Sequence, residues 1–159
     1  MFKVSFKDKP NSPAKTVQVF NDKATVVTLK GRMNMPFWFS YVPSKVNRWM
    51  HSYENVEFND IVLDKALIVV HGKAVCSESD TFNPVKGERI AEARAKKRLY
   101  RFMINMLRNL FNYYKKILVG DMQINFPTSY KDGIFKELLK YEKLYARESE
   151  HLNKLLHEA

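Results

Sequence analysis

The stretch Asn83-Pro84-Val85-Lys86-Gly87-Glu88-Arg89-Ile90-Ala91-Glu92-Ala93-Arg94-Ala95-Lys96-Lys97-Arg98-Leu99-Tyr100-Arg101-Phe102-Met103 decides the fold, because the chain changes period there. Apolar residues alternate before it. From it onward Ile90, Leu99, Phe102, Met103, Met106, Leu110, Tyr113 and Ile117 recur at three- and four-residue steps, the spacing of one helix face. Asn83 has an N-cap side chain, Pro84 suits the first helical position where its missing N–H costs nothing, and Glu88 and Glu92 lie toward the positive end of the helix dipole. With Gly120 as a stop, the spacing predicts a helix over residues 84–119. At about 1.5 Å per residue it would span about 50 Å, more than a domain of this size is wide. Such a helix must kink or project at its far end.

Beyond the helix, Pro127 and Ser129 announce a second one. Ser129 as N-cap and Asp132 three residues on resemble a capping box. Ile134, Phe135, Leu138, Tyr141, Tyr145, Leu152 and Leu155 supply an apolar face over residues 129–158, and Asp132/Lys136 and Glu150/Lys154 sit four apart on its outer side. The short connection favours an antiparallel helical hairpin.

Before the helix the chain reads as strands. Residues 3–7, 16–20 and 24–30 alternate and are rich in Val, Phe and Thr, with Asn21-Asp22-Lys23 placed to close a hairpin between the last two. Residues 31–36 interrupt the pattern. An aromatic run, Phe37-Trp38-Phe39-Ser40-Tyr41, follows, then a short helix over 44–51 with Ser44 as N-cap. Residues 56–70 are the most strand-like of all, and His71-Gly72 stands where a tight turn would join 67–70 to 73–76. The expected architecture is α+β. One domain over residues 1–159 would have a small, mainly antiparallel sheet from 1–79 packed with a long basic helix and a C-terminal helix.

A chain of 159 residues that is 45% apolar and 13% aromatic can bury one sizeable core. Neither a signal-peptide pattern nor an apolar run of about 18 residues occurs, so a soluble, intracellular protein with no membrane partner is expected. The one cysteine, Cys76, has no disulfide partner within the chain. Its expected role is that of a buried small hydrophobe.

Charge is distributed unevenly. Between Pro84 and Val119 ten basic residues face two acidic ones, which accounts for +8 of the net +10, whereas residues 129–159 are balanced. On the helix Arg94, Lys97, Arg98, Arg101, Asn105, Arg108, Asn112, Lys115 and Lys116 step by three or four, roughly opposite the apolar stripe. A basic habit of composition would show on both helices, so this ridge reads as a surface for polyanions or an acidic partner. Trp38 and Trp49 are candidate aromatic contacts, although alternation turns Phe37, Phe39 and Tyr41 toward a core. The paired helices are also where a homodimer would form.

Chemistry is less visible than charge. His51, His71, His151 and His157 form no three- or four-residue pair with one another or with Cys76, so no metal site is expected. Phosphate-binding glycine motifs, a serine nucleophile elbow and a kinase signature are missing, and no cofactor is expected. A metal-dependent nuclease would draw on Glu57, Asp60, Asp64, Glu78 and Asp80, yet Asp64 is followed by His71-Gly72-Lys73 without the Glu-x-Lys such a site uses. No catalytic residue is assigned, and an enzyme is not expected.

The stretch from Val75 to Ala91, Val-Cys-Ser-Glu-Ser-Asp-Thr-Phe-Asn-Pro-Val-Lys-Gly-Glu-Arg-Ile-Ala, resembles small phage-encoded proteins. In these a hairpin leads through Asp-x-Phe-Asp-Pro-x-x-Gly into a helix; here Asn83 replaces the usual Asp, and Ala24-Thr25-Val26-Val27 resembles their first hairpin strand. Some phage proteins with a related helix start sequester cyclic nucleotide signals of bacterial defence, but their ligand residues do not map onto this chain. The resemblance implies a phage or prophage origin and action in the cytoplasm of an infected bacterial host. With the basic ridge it leads to a non-enzymatic accessory protein that inhibits a host nucleic-acid-handling defence complex, in the manner of an anti-CRISPR. The host protein or ribonucleoprotein complex, or nucleic acid, is then the partner. Direct, sequence-independent DNA or RNA binding is the alternative, and a metal-dependent nuclease the second.

Overall fold

Asn21 and Asp22 carry φ angles of 50° and 51°, a left-handed conformation that short polar side chains tolerate. They turn β2 (Lys15–Phe20) back onto β3 (Ala24–Asn34), and the Lys23 N–H closes the turn on the Phe20 carbonyl at 3.0 Å. The computed structural model describes residues 3–5, 15–34, 48–49, 56–58, 66–120 and 128–158. Its remaining elements are β1 (Lys3–Ser5), β4 (Val56–Phe58), β5 (Ala66–Val75), α1 (Pro84–Gly120) and α2 (Thr128–His157). The fold is α+β, with a five-stranded antiparallel sheet and a helical hairpin. β3 pairs with β5 along one edge; its other edge takes β2 at residues 24–29 and β1 at 32–34, and β4 flanks β5.

Two glycines expected to end strands lie inside them. β3 runs through Gly31 to Asn34, and β5 passes through His71-Gly72 without turning. Gly72 is there for a close approach: a Cβ at that position would lie 1.9 Å from the Ala91 carbonyl oxygen and 2.5 Å from the Ala95 nitrogen. Absence of a side chain lets α1 rest its backbone on the sheet. The strand and short-helix expectations at residues 35–47, 50–55 and 59–65, including the aromatic run with Trp38, lie outside the described residues. Arg48 and Trp49 are helical, as expected.

The 37-residue helix starts where its local chemistry directs it. Asn83 Oδ1 accepts from the Lys86 N–H at 3.1 Å and the Asn83 carbonyl from the Gly87 N–H at 2.9 Å. The second helix begins at Thr128, one residue before the expected cap at Ser129. Its Glu150–Lys154 pair forms at 3.3 Å, with both side chains well exposed. Cross-helix contacts descend in register, from Lys86 Nζ on the Glu158 carbonyl (2.9 Å), through Ala93 with Leu152 and Leu155, to Phe111 against Phe135. The hairpin is therefore antiparallel. Burial along α1 continues to Tyr114, so partners cover most of its length.

The main correction concerns which sides of α1 are buried. Ala91, Ala95, Leu99, Phe102 and Met106 form the series that meets the sheet and its buried Val27, Leu29, Ile68 and Val70. Ala93, Tyr100, Ile104 and Phe111, offset by about half a turn, meet α2. Met103, Leu107, Leu110 and Tyr114 are fully buried on a third side. α1 is a central layer between the sheet and α2. Among the described residues the basic side chains of its ridge occupy the side left open, at the seam between the sheet and α2 and roughly opposite Met103, Leu107, Leu110 and Tyr114. The buried arc is therefore wider than the single stripe expected, while the basic ridge faces away from its middle.

Candidate nucleic-acid interface

A cation in a surface strip is useful to a partner when it is held in place and not neutralised. The open side of α1 meets both conditions. The Cys76 N–H donates to the Lys23 carbonyl at 2.7 Å, so even-numbered residues of β5 bond toward β3 and odd-numbered ones present their polar groups to the opposite edge. Among the described residues β4 pairs with that edge at residues 68–70. The next outward carbonyls, of His71 and Lys73, accept from Arg98 Nη1 at 2.6 Å and Arg94 Nη1 at 2.7 Å. Neutral carbonyls fix both guanidinium groups and leave their charge intact.

The α2 side of the strip works through an aromatic ring. Lys97 Nζ lies 5.3 Å and the Arg101 guanidinium carbon 5.9 Å from the centroid of the Tyr145 ring, within cation–π range. Further along, Arg108 Nη2 meets Glu142 Oε1 at 3.0 Å. Glu142 is the one acid in contact with Arg94, Lys97, Arg98, Arg101 or Arg108 among the described residues. Arg101, Ile104, Asn105, Arg108, Glu142 and Tyr145 enclose a notch of about 250 Å³ in the middle of the strip. Lys115 is exposed beyond it; Lys116 is in the helix, with its side chain outside the described residues.

The structure thus brings Arg94, Lys97, Arg98, Arg101, Asn105 and Arg108 onto one seam. Trp49 does not join them: it is half-buried and stacks on Phe102 at 5.6 Å and 8°. Tyr145, Glu142 and the two carbonyls escaped the sequence reading. In the sequence Tyr145 has the spacing of the apolar face of α2, and a backbone carbonyl leaves no trace in a residue pattern.

The acidic residues of α1 are tied elsewhere. Lys15 on edge strand β2 reaches Glu88 at 2.6 Å and Glu92 at 2.9 Å, and Lys96 adds to Glu92 at 3.5 Å. Burial pushes the Glu92 carboxyl up, but the Lys15 hydrogen bond and the Lys96 and Lys15 charges outweigh it and leave the group below its ordinary 4.5. Hydrogen bonds to Glu88 and then Glu92 hold Lys15 above its ordinary 10.5. Both acids are therefore engaged with Lys15 and not with the strip's arginines.

A larger cavity, about 600 Å³, opens where α1 begins, between the 76–83 loop and the end of α2. Its charged lining, Lys23 and Lys86 against Asp80 and Glu158, is balanced, which does not suit a polyanion. Cys76 is half-buried beside it, its thiol donating to the Asp80 carbonyl at 3.3 Å. Glu78 and Asp80 are exposed there, whereas Asp60 and Asp64 lie outside the described residues. Among the described residues no three His, Cys, Asp or Glu side chains group as metal ligands, and no helix is long and apolar enough to cross a membrane. Compared with known protein families, curated proteins and solved structures, the chain finds no match.

Proposed function

We propose that the chain is a non-catalytic binding protein that holds polyanions, nucleic acid foremost, along the open side of α1. The observation that carries this is the unbalanced strip: Arg94, Lys97, Arg98, Arg101 and Arg108 share one seam with, among the described residues, a single contacting acid, Glu142. Phosphates displacing condensed counterions would bind there without regard to sequence and release as salt rises. A gel shift at low ionic strength tests it. The wild type should retard a mixed-sequence oligonucleotide and Lys97→Glu/Arg101→Glu should not; equal retardation by both would remove the strip from the account.

The phage resemblance around Phe82-Asn83-Pro84 favours a second use of the same strip. A phage accessory protein could press it against the surface on which a host defence complex carries nucleic acid. Capture from host lysate separates the two. One complex that survives nuclease treatment and is lost with Lys97→Glu/Arg101→Glu supports inhibition, whereas broad recovery that nuclease abolishes supports direct binding.

A further inference from the structure

We propose that the strip takes single-stranded rather than duplex nucleic acid, lodging one unpaired base in the notch beside Tyr145. This rests on the polyanion reading above and adds to it the form of the strand.

Phosphates alone would require only cations, yet the notch contains three features that serve a base. The Tyr145 ring forms a wall within cation–π reach of Arg101, and base stacking on aromatic rings and guanidinium planes is a common mode of single-strand recognition. Ile104, only 8% exposed, adds an apolar surface. Glu142 is an acid inside a basic strip, where it would repel a phosphate. Its Oε1 is occupied by Arg108, and its other oxygen has no partner among the described residues. Side by side, Glu142 and Arg108 present an acceptor and a donor.

The Watson–Crick edge of every base offers the complement, an N–H or amino donor next to a carbonyl or ring-nitrogen acceptor. In a duplex those edges are consumed by pairing and the rings by stacking, so only an unpaired base can use the notch. Arg94, Lys97 and Arg98 on one side and Lys115 on the other are placed for the flanking phosphates.

The test is fluorescence anisotropy with a labelled mixed-sequence oligonucleotide, single-stranded and as its duplex, at one salt concentration. The single strand should bind more tightly. Tyr145→Ala should weaken single-strand binding roughly fivefold or more, and by clearly more than it weakens duplex binding, which loses only the ring contact that holds Lys97 and Arg101. Should that variant fail to fold, Tyr145→Leu removes the ring and keeps the apolar packing. Equal or tighter duplex binding, or unchanged single-strand affinity in a folded Tyr145 variant, overturns the base notch and leaves the polyanion reading standing. No binding of either form by the wild type at low salt overturns both.

Discussion

Arg98 donates from Nη1 to the main-chain carbonyl of His71 at 2.6 Å, so one side chain closes the sheet edge and keeps a charge in the open strip. Arg101, one turn away, lies over Tyr145 and is exposed. The two arginines should therefore separate by assay. Arg98→Ala should lower unfolding free energy by about 1 kcal/mol or more, through a lost charge-assisted bond and an orphaned carbonyl, and should also weaken polyanion binding. Arg101→Ala should weaken binding with a stability change within about 0.5 kcal/mol. Urea unfolding beside a binding titration checks both.

Gly72 fixes how closely the helix sits on the sheet. Since a Cβ there would collide with backbone atoms of Ala91 and Ala95, no rotamer change relieves it. Gly72→Ala should cost about 1–3 kcal/mol or more, read as a lower thermal midpoint. A change within experimental scatter would mean that the helix does not rest on β5 as described.

The Asn83 cap is a local contribution. Removing the side chain that accepts from the Lys86 N–H should cost about 1 kcal/mol, and Asn83→Asp or Asn83→Ser should restore most of it. Chemical denaturation of the three variants gives the comparison.

The Lys15–Glu88–Glu92 cluster predicts a pH signature. Glu92 titrates below its ordinary 4.5 in the folded chain, so its stabilisation is complete above that value and disappears as pH falls through the folded one. Lys15 titrates above 10.5; its share is complete below 10.5 and disappears as pH rises through the folded value. These side chains are partly exposed, which limits the effect to a few tenths up to about 1 kcal/mol. Lys15→Met should lower stability near neutral pH and flatten both limbs of the stability profile, whereas a parallel shift at every pH would contradict the assignment.

Local signals were legible in the sequence and long-range ones were not. Asn83-Pro84 and Asn21-Asp22 act within a few residues of themselves, and the start of α1 and the β2–β3 turn follow from them. Gly72 misled because its reason lies in Ala91 and Ala95, about twenty residues away; taken alone, His71-Gly72 resembles a turn. The buried sides of α1 were obscured by Ala91, Ala93 and Ala95, which have almost no hydrophobic signature although each is buried. Charge in the candidate site was readable at once, as the run from Arg94 to Arg108. What surrounds it was not, because Tyr145 and Glu142 come from the other helix and the His71 and Lys73 carbonyls from a strand.

The central claim is that α1 meets polyanions through its open strip, and the salt dependence of binding tests it most directly. For a single-stranded oligonucleotide the logarithm of affinity should fall linearly with the logarithm of salt concentration, by roughly 0.7 per phosphate neutralised. Lys97→Glu/Arg101→Glu should make that slope shallower by about 1.4 or more as affinity collapses. An unchanged slope and affinity in the double variant, or no binding by the wild type at low salt, would contradict the account.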